Sequence, residues 1–527
     1  MFRIIRADKD TYICNKIISS TRPTFSRSTD ANVGQAATLD LYKLYNETTV
    51  PSGSSGIELS RGLVRFDLSP LRALTGSILN YASSSFKCYL QLKDVYGGQT
   101  VPSNFTLAVH PLNKAFSEGR GTDVIGYRDL DAVNWITSSI DNGTVTAWTS
   151  GGCGYGASSD DVNADYLTFF SSSLGYVPLT TSQSFARGDE DLYVDVTTAV
   201  SATLAGLIPD YGFRIAFSGS QETDSVTRFV KRFSTTQSQN TNRHPALVVK
   251  YDNSVFDNQA ECYFDYPNRI GTYHSMFGQA SNFVSGAFPV TGSGSIMLEL
   301  AASQSAYVLV TTYSLSHSAS ISYMSASWVY FSQSFTGSQL FVGGIGQTGS
   351  YYADVYLPRL TSGLSGALNS SGEGMFVPTW KSPEGAVIFD VGPSITFRPQ
   401  AGSRSSIPSS RNLVVNITNL KGSYITTEAP RLRVLAVDYD TTLNSFYMPY
   451  QAKPRIFRDA FWRLVDPYTK DVLIPFDDSA TRLSSDGDGM YFDMWMSDVP
   501  INRPYELQLM IDGWLVENHG FVFRVVT

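Results

Sequence analysis

The fold of the first half of the chain is decided by the stretch Arg61-Gly62-Leu63-Val64-Arg65-Phe66-Asp67-Leu68-Ser69. Its apolar residues form a short run that ends at an aspartate and a Ser-Pro pair. This order is typical of a strand that runs into the first turn of a short helix. It predicts a helix over residues 69–75 and places Phe66 on the inner face of a sheet.

A second strand and helix follow later in the same half. Leu192-Tyr193-Val194-Asp195-Val196 alternates with a period of two, and the apolar residues of 198–207 then recur at helical spacing. Asn32-Val33-Gly34 and Asp210-Tyr211-Gly212 supply turn residues that tolerate positive φ. We therefore expect a β-sandwich whose ends are closed by short helices.

Six segments of this half occur in an order known from one family. They are Asp10-Thr11-Tyr12-Ile13, Asn32-Val33-Gly34, Arg61 to Ser69, Leu192 to Thr197, Tyr211-Gly212-Phe213-Arg214-Ile215 and Arg243-His244-Pro245-Ala246-Leu247-Val248-Val249. Together they resemble the DNRLRE-type domain, a jelly-roll sandwich of carbohydrate-binding modules and of many phage proteins. The resemblance covers the first predicted domain, residues 1–252, and implies a jelly-roll fold there.

Composition extends the all-β prediction to the whole chain. The 527 residues include 42 Gly, 23 Pro, 30 Tyr and 31 Phe, and only 16% are charged. β-Formers and turn residues are thus frequent enough for each of three domains to form a sandwich. We predict three consecutive β-sandwich domains over residues 1–252, 253–410 and 411–527.

The middle domain is rich in Ser, Gly and Tyr and carries very few charges. Ala306-Tyr307-Val308-Leu309-Val310 and Ser327-Trp328-Val329-Tyr330-Phe331 alternate as strands do, and residues 339–357 indicate a hairpin. Such a domain either packs against neighbours or presents Tyr and Ser to a ligand. Residues 398–410 are rich in Pro, Ser and Gly and predict an exposed linker.

Six strand-like segments follow the linker. They begin at Asn412, Arg431, Phe461, Met490, Tyr505 and Phe521. This spacing predicts an immunoglobulin-like sandwich over residues 411–527, with Tyr505 entering its core.

Two aspartates are the candidate metal ligands. Asp10 and Asp67 lie at predicted strand ends, where calcium often rigidifies jelly-roll sandwiches through oxygen ligands. Asp486-Gly487-Asp488-Gly489 lacks the remaining acidic positions of a calcium loop and predicts a tight hairpin turn instead. Four widely spaced cysteines fit no zinc pattern. We therefore expect no cofactor, and only a weak case for metal at the two aspartates.

Catalysis finds little support in the sequence. The five histidines lie far apart and no nucleophile motif accompanies them. Glu118, in Phe116-Ser117-Glu118-Gly119, would serve a glycosidase only if a second carboxylate faced it at about 5 Å or about 6.5–9.5 Å. We predict no catalytic residues and no enzymatic activity.

Charge and hydropathy indicate the class of partner. The net charge is −8, and we find no basic stripe, so a nucleic-acid groove is not expected. The one basic cluster, Arg228 with Lys231 and Arg232, is interpreted as a solvated sheet edge beside acidic residues. Neither a signal peptide nor a membrane span is predicted. We expect folding in a cytoplasm.

These features favour a virion protein, which assembles in the host cytoplasm and leaves by lysis. The leading hypothesis is a non-enzymatic structural component of a tailed phage, in the neck, tail, fibre or capsid-decoration region. Its predicted partners are other virion proteins, and it is expected to form a homo-oligomer. The alternative is a carbohydrate-binding protein that contacts host surface glycans. A polysaccharide hydrolase ranks third, because the repeat period of a β-helix is missing.

Overall fold

The computed structural model describes residues 1–19, 25–95, 101–125, 131–172, 175–313, 319–399, 413–438, 455–516 and 520–527. Side chains are described there except at 303–313, 319–330, 413 and 438. Most of the predicted linker over 398–410, and the predicted boundary at 410, lie outside the described residues.

The prediction of an all-β chain of sandwich-like sheets is confirmed. The chain forms two compact units. One contains Phe2–Tyr251 together with Ser497–Pro500, and the other contains Met1, Asp252–Met496 and Ile501–Thr527. The predicted division of the second unit into two domains at residue 410 stays a prediction.

The N-terminal unit, Phe2–Tyr251 with Ser497–Pro500, holds the first seventeen strands. They are β1 Phe2–Cys14, β2 Ile17–Ser19, β3 Ser26–Arg27, β4 Thr38–Tyr45, β5 Ile57–Phe66, β6 Lys87–Leu92, β7 Phe105–Pro111, β8 Thr137–Asp141, β9 Thr144–Ala147, β10 Gly156–Ser158, β11 Tyr166–Ser172, β12 Gly175–Pro178, β13 Thr181–Phe185, β14 Leu192–Asp195, β15 Phe213–Phe217, β16 Arg228–Ser234 and β17 Ala246–Lys250. Its helices are α1 Ser69–Arg72, α2 Thr197–Leu204 and α3 Gly219–Thr223.

Backbone pairing in this unit forms a closed circuit. Long β1 pairs with β17 through its first residues and with β5 through its last, and β4 joins β5 to β16. The circuit closes because β17 pairs with β6, and the Asp94–Phe233 bridge joins the end of β6 to β16. Strands β15, β7 and β13 extend the sheet from β5, and β14 extends it from β6. Closure of this kind leaves few free strand edges.

The segment that decided the fold lies where the sequence placed it. Leu63, Val64, Phe66 and Leu68 are all buried, and Phe66 meets Phe213 edge to face at 6.3 Å between ring centroids. Both predicted helices are present, but α1 ends at Arg72 instead of residue 75, and α2 spans Thr197–Leu204 instead of 198–207. No helix among the described residues is long and apolar enough to cross a bilayer.

The second unit contains the remaining strands. They are β18 Cys262–Tyr263, β19 Pro267–Tyr273, β20 Ser275–Met276, β21 Gln279–Ala280, β22 Val284–Ser285, β23 Phe288–Pro289, β24 Ile296–Tyr313, β25 Ala319–Val342, β26 Ile345–Tyr356, β27 Gly374–Lys381, β28 Ile388–Val391, β29 Ile395–Arg398, β30 Leu413–Ile417, β31 Ser423–Ile425, β32 Arg431–Asp438, β33 Ala460–Val465, β34 Val472–Ile474, β35 Ser484–Asp486, β36 Gly489–Asp493, β37 Pro504–Ile511, β38 Trp514–Leu515 and β39 Val522–Val526.

The middle part of the second unit is one sheet of order β18-β29-β27-β24-β25-β26-β19, with β28 beside β27. The predicted hairpin over 339–357 is confirmed by pairing of Val342 with Ile345. The two short strands predicted around Val308 and Val329 are instead parts of the long strands β24 and β25, and all of β24 pairs with residues 319–337 of β25. The sequence pattern therefore located these strands but underestimated their length.

The C-terminal part has the two sheets of an immunoglobulin-like sandwich. One has the order β30-β32-β36-β35 and the other β31-β39-β37-β33-β34. Seven of these strands, β30, β32, β33, β35, β36, β37 and β39, follow the immunoglobulin order. Counted along the chain, the first, second, fifth and fourth of them form one sheet, and the third, sixth and seventh lie in the other. Tyr505 is fully buried, as predicted, and Asp486 pairs with Gly489 in the predicted hairpin turn.

Candidate functional site

The first candidate is the carboxyl pair Asp10 and Glu118 of the N-terminal unit. Asp10 lies in β1, and its backbone N–H donates to Glu118 Oε1 at 2.9 Å. Both oxygens of the Asp10 carboxyl accept hydrogen bonds from Thr236, from the backbone N–H at 2.8 Å and from the hydroxyl at 2.6 Å. Asp10 is only 1% exposed. The sequence analysis considers Asp10 as a metal ligand and Glu118 as a catalytic acid, and the structure brings the two residues together.

A tight loop contact holds Glu118 in place. The buried Asn32 side chain donates to the Glu118 carbonyl at 2.8 Å and to the Val133 carbonyl at 2.9 Å. Gly34 packs against the Glu118 carbonyl so closely that a Cβ there would overlap it. Gly34 is therefore required for close approach, not for the positive φ that its turn-like sequence suggested. Gly212 does have positive φ, at 92°.

Burial shifts both carboxyls toward the protonated form. It raises the pKa of Asp10 above its ordinary value and raises the pKa of Glu118 to about 7. A half-buried acid with such a pKa can donate a proton near neutral pH. The second carboxylate of a glycosidase must also reach the substrate, and the Asp10 carboxyl is buried and committed to Thr236. The pair is thus better suited to fastening β1 to the loops around it.

Asp67, the second candidate metal ligand, lies in a different setting. It is exposed, and one carboxyl oxygen accepts from the backbone N–H of Ser69 at 2.9 Å and from the Ser69 hydroxyl at 2.6 Å. These bonds form a turn directly before helix α1 and lower the pKa of Asp67. Over the described ranges, no three acidic, His or Cys side chains converge as a metal site would require. The weak metal case at Asp10 and Asp67 stays a prediction for chelation to test.

Two arginines of the N-terminal unit, Arg61 and Arg214, form a buried cluster with Glu222 of α3. Arg61 makes two parallel hydrogen bonds of 2.8 Å to the Glu222 carboxylate, and Arg214 lies 3.6 Å from it. The Arg61 guanidinium stacks near Trp135, and that of Arg214 lies 4.4 Å from the Tyr166 ring centroid. This arrangement fastens α3 to the sheet, because a planar guanidinium matches a carboxylate on two points.

The predicted solvated edge around Arg228 and Lys231 is wrong. Both side chains are buried, and Arg228 makes a bidentate pair with Asp224. Lys231 Nζ contacts the Asp94 carboxylate and donates to the carbonyls of Gly188 and Glu190, both at 2.8 Å. Charge alone suggested solvent exposure, whereas paired carboxylates and carbonyls permit burial. Asp224 is only four residues from Arg228, whereas Asp94 is 137 residues from Lys231, so the local pattern could not reveal the second pair.

The described histidines and cysteines form no reactive site. His110 is buried beside Tyr166, and burial together with the Arg214 charge lowers the pKa of His110 to about 3. His244 contacts the Ser238 carbonyl, and His274 stacks on Phe283. His317 and His519 lie outside the described residues. All four cysteines are buried thiols, and burial raises their pKa values, so none is poised as a thiolate.

A groove of about 520 Å³ opens beside the Arg61–Glu222 pair. Its lining residues are Asn15, Phe25, Arg27, Ser54, Ser55, Ile57, Leu59, Arg61, Glu222 and Thr223. One aromatic ring and several polar side chains on a concave surface are the groups that bind small polar ligands.

The middle part of the second unit presents a different surface. Between Arg269 and Asp354 the chain carries one charged residue, Glu299, which pairs with Lys381 at 2.8 Å. Within this stretch the small hairpins β20–β21 and β22–β23 expose large apolar side chains, Phe277 in the turn of the first and Phe288 in β23 of the second. Phe277 is fully exposed and Phe288 is 78% exposed. Large apolar side chains with this much exposure make the stretch a candidate interaction surface. The sequence signal for this surface was the near absence of charge.

Comparison with known proteins gives no family. No family model and no curated protein matches the chain. Among solved structures, native E. coli alpha-2-macroglobulin is 8% identical over 95% of this chain and 34% of its own, with a TM-score of 0.13. Salmonella alpha-2-macroglobulin reacted with methylamine is 11% identical over 98% of this chain and 30% of its own, with a TM-score of 0.12.

A third solved structure, the BSP domain of a biofilm associated protein, is 9% identical over 96% of this chain and 84% of its own, with a TM-score of 0.13. This chain spans about a third of the length of the two macroglobulins. Alignments with such low TM-scores support no argument about function.

Proposed function

We propose that this chain is a non-enzymatic structural component of a tailed-phage virion that acts through contacts with other proteins. The observation that carries the proposal is the charge-poor surface between Arg269 and Asp354, with Phe277 and Phe288 exposed on two small hairpins. Protein interfaces are depleted in charge and enriched in aromatic residues at their centres. The assignment to a virion rests on the sequence resemblance and on the string of sandwich domains.

The ionisable groups of the N-terminal unit support the absence of enzymatic activity in this proposal. Arg61, Arg228 and Lys231 hold carboxylates that stabilise the fold, and the Asp10 carboxyl is closed off from solvent. A structural role uses every one of these groups, whereas a hydrolase would leave an acid and a base facing a cleft.

Mass spectrometry of purified virions tests the proposal. We expect peptides of this chain in stoichiometric amounts after density-gradient purification, at a constant ratio to the major capsid protein across the virion band. Recovery of the chain only in the free fraction of the lysate would contradict a virion role.

Glycan binding is the second candidate, and the groove beside Arg61 and Glu222 favours it. We expect Phe25→Ala to abolish any glycan-array signal of the full chain, because aromatic rings supply apolar contact area for sugars. Tyr211→Ala, in a separate depression of about 480 Å³, is the matched control and should leave the signal unchanged. Equal loss in both variants, or no signal with the parent chain, would exclude this groove as a glycan site.

A further inference from the structure

The long strands β24 and β25 reach beyond the sheet to which they belong. Strand β27 pairs with β24 only over Met297–Ala301, and β26 pairs with β25 only over Gly337–Val342. From Ser303 to Tyr313, β24 pairs with β25 over Val329 to Ala319 and, within the described residues, with no other strand. We call this two-stranded extension, 303–313 with 319–329, the ribbon.

The ribbon begins at an irregularity in the ladder. Ala302 pairs with Phe331 and Ser303 with Val329, so one extra residue lies in β25 at this point. Bulges of this kind bend a strand pair and redirect it. At about 3.3 Å per residue, eleven paired positions extend the ribbon by roughly 35 Å.

A ribbon of this kind needs a partner for two physical reasons. A hairpin of two strands is at best marginally stable in water by itself. Its two outer edges also carry backbone N–H and C=O groups that can pair with another strand. Proteins protect free edges with charged residues or proline, and residues 300–353 contain no Asp, Glu, Lys, Arg or Pro.

We propose that the ribbon is a self-association surface, at which an outer edge pairs antiparallel with the same edge of the ribbon in a second copy of this chain. A second copy fits best because an antiparallel edge is complementary to itself across a two-fold axis. The charge distribution also favours a second copy of this chain as the partner of the ribbon. Each copy has a net charge of −8, so copies repel in general and approach most easily where both are uncharged. The inference rests on the proposed assembly function and names the surface that would perform it.

Paired substitutions in β25 test the proposal on the full-length chain. Ser320→Lys with Ser322→Lys adds two charges to the ribbon without removing an apolar group, and Ser320→Thr with Ser322→Thr is the neutral, β-favouring control. Sedimentation velocity of each purified protein reports the oligomeric state. We expect an oligomer for the parent and the Thr variant, and for the Lys variant a monomer whose cooperative melting transition shows that the chain still folds.

A charge swap identifies the partner as another ribbon. Ser320→Glu with Ser322→Glu should also give a monomer, and an equimolar mixture of the Lys and Glu variants should associate again. A parent chain that sediments as a monomer at every concentration, a Lys variant that keeps the parent oligomer, or a mixture that stays monomeric would each overturn the proposal. None of these outcomes depends on virions, so they are distinguishable from failure of the virion assignment.

Discussion

The N-terminal unit and the ribbon handle strand edges and charge in opposite ways. In the N-terminal unit the pairing circuit closes, and the Gln183 side chain joins the outer strands β13 and β14 by donating to the Asp191 carbonyl and accepting from the Tyr193 N–H. Charged side chains such as Lys43 and Lys231 are buried against carboxylates. Among the residues that the structure describes, the ribbon pairs with no third strand, and it contains no charged residue. Under our proposal, a second copy of the chain supplies the strand that the ribbon lacks, whereas the strands of the N-terminal unit pair with one another.

Truncation of Phe66 should destabilise the core of the N-terminal unit. Phe66→Ala removes a ring that is 2% exposed and packed on Phe213. We expect a loss of about 3–5 kcal/mol in the free energy of unfolding, because truncation removes buried apolar contacts and leaves a cavity in the core. Urea denaturation of the full chain measures it. A loss below about 1 kcal/mol would mean that the side chain contributes little to the core.

Removal of one buried charge should have an effect of similar size. Arg3 donates to Asp498 at 2.6 and 3.1 Å, and both side chains are almost fully buried in the N-terminal unit. Asp498→Ala leaves the guanidinium without this carboxylate, and we expect a cost of about 3–5 kcal/mol. Asp354→Ala is the control, because it breaks the exposed pair with Arg269 and should cost less than about 1 kcal/mol. Equal costs in the two variants would remove the distinction between buried and exposed charge.

Glu118→Gln should change how the stability of the N-terminal unit depends on pH. Burial raises the pKa of Glu118 to about 7, whereas in the unfolded chain it is about 4.3. Between these values the folded chain binds more protons, so Glu118 lowers stability as pH rises. We expect thermal melting to show a smaller loss of stability from pH 4 to pH 8 in the variant than in the parent.

Glu190→Gln is the control of opposite sign for that experiment. Although burial opposes the shift, backbone N–H donors lower the pKa of Glu190 to about 2. The parent residue therefore adds stability above the unfolded pKa, and this contribution is lost as pH falls toward 2. A Glu118→Gln profile that matches the parent would show that the Glu118 proton is not linked to folding.

Chelation should have the smallest effect. Asp10 accepts from Thr236 and Asp67 accepts from Ser69, so both carboxyls already have partners without a cation. We expect EDTA to leave the melting temperature of the full chain unchanged. A large decrease that calcium restores would make Asp10 and Asp67 metal ligands.

Much of the fold could be predicted because its signals are local. The buried run around Phe66, the hairpin at Asp486 and the core position of Tyr505 follow from alternation and turn chemistry. The buried pairs of Lys231 with Asp94 and of Arg3 with Asp498 could not be predicted, because their partners are 137 and 495 residues apart. Without knowledge of its partner, a charged residue is predicted to be exposed to solvent.

The ribbon shows a different limit of the sequence. Alternation around Val308 and Val329 identified strands, but the length of a strand depends on its partner, which alternation does not contain. The absence of charge is visible in the sequence, but by itself it predicts only that the domain packs against neighbours or presents Tyr and Ser to a ligand. Together with the outer edges of the ribbon, the absence of charge leads to our proposal that the ribbon is the association surface.

Hydrogen–deuterium exchange of the full chain tests the central claim most directly. In an antiparallel pair only about half of the backbone N–H groups face the partner strand, so the outward-facing groups of an uncovered ribbon exchange quickly. We predict that the outward-facing N–H groups of one ribbon strand, 303–313 or 319–329, are protected in the parent chain and exchange rapidly in the Ser320→Lys, Ser322→Lys variant, while β1 and β5 exchange equally in both. Identical exchange of the ribbon in parent and variant would contradict the account.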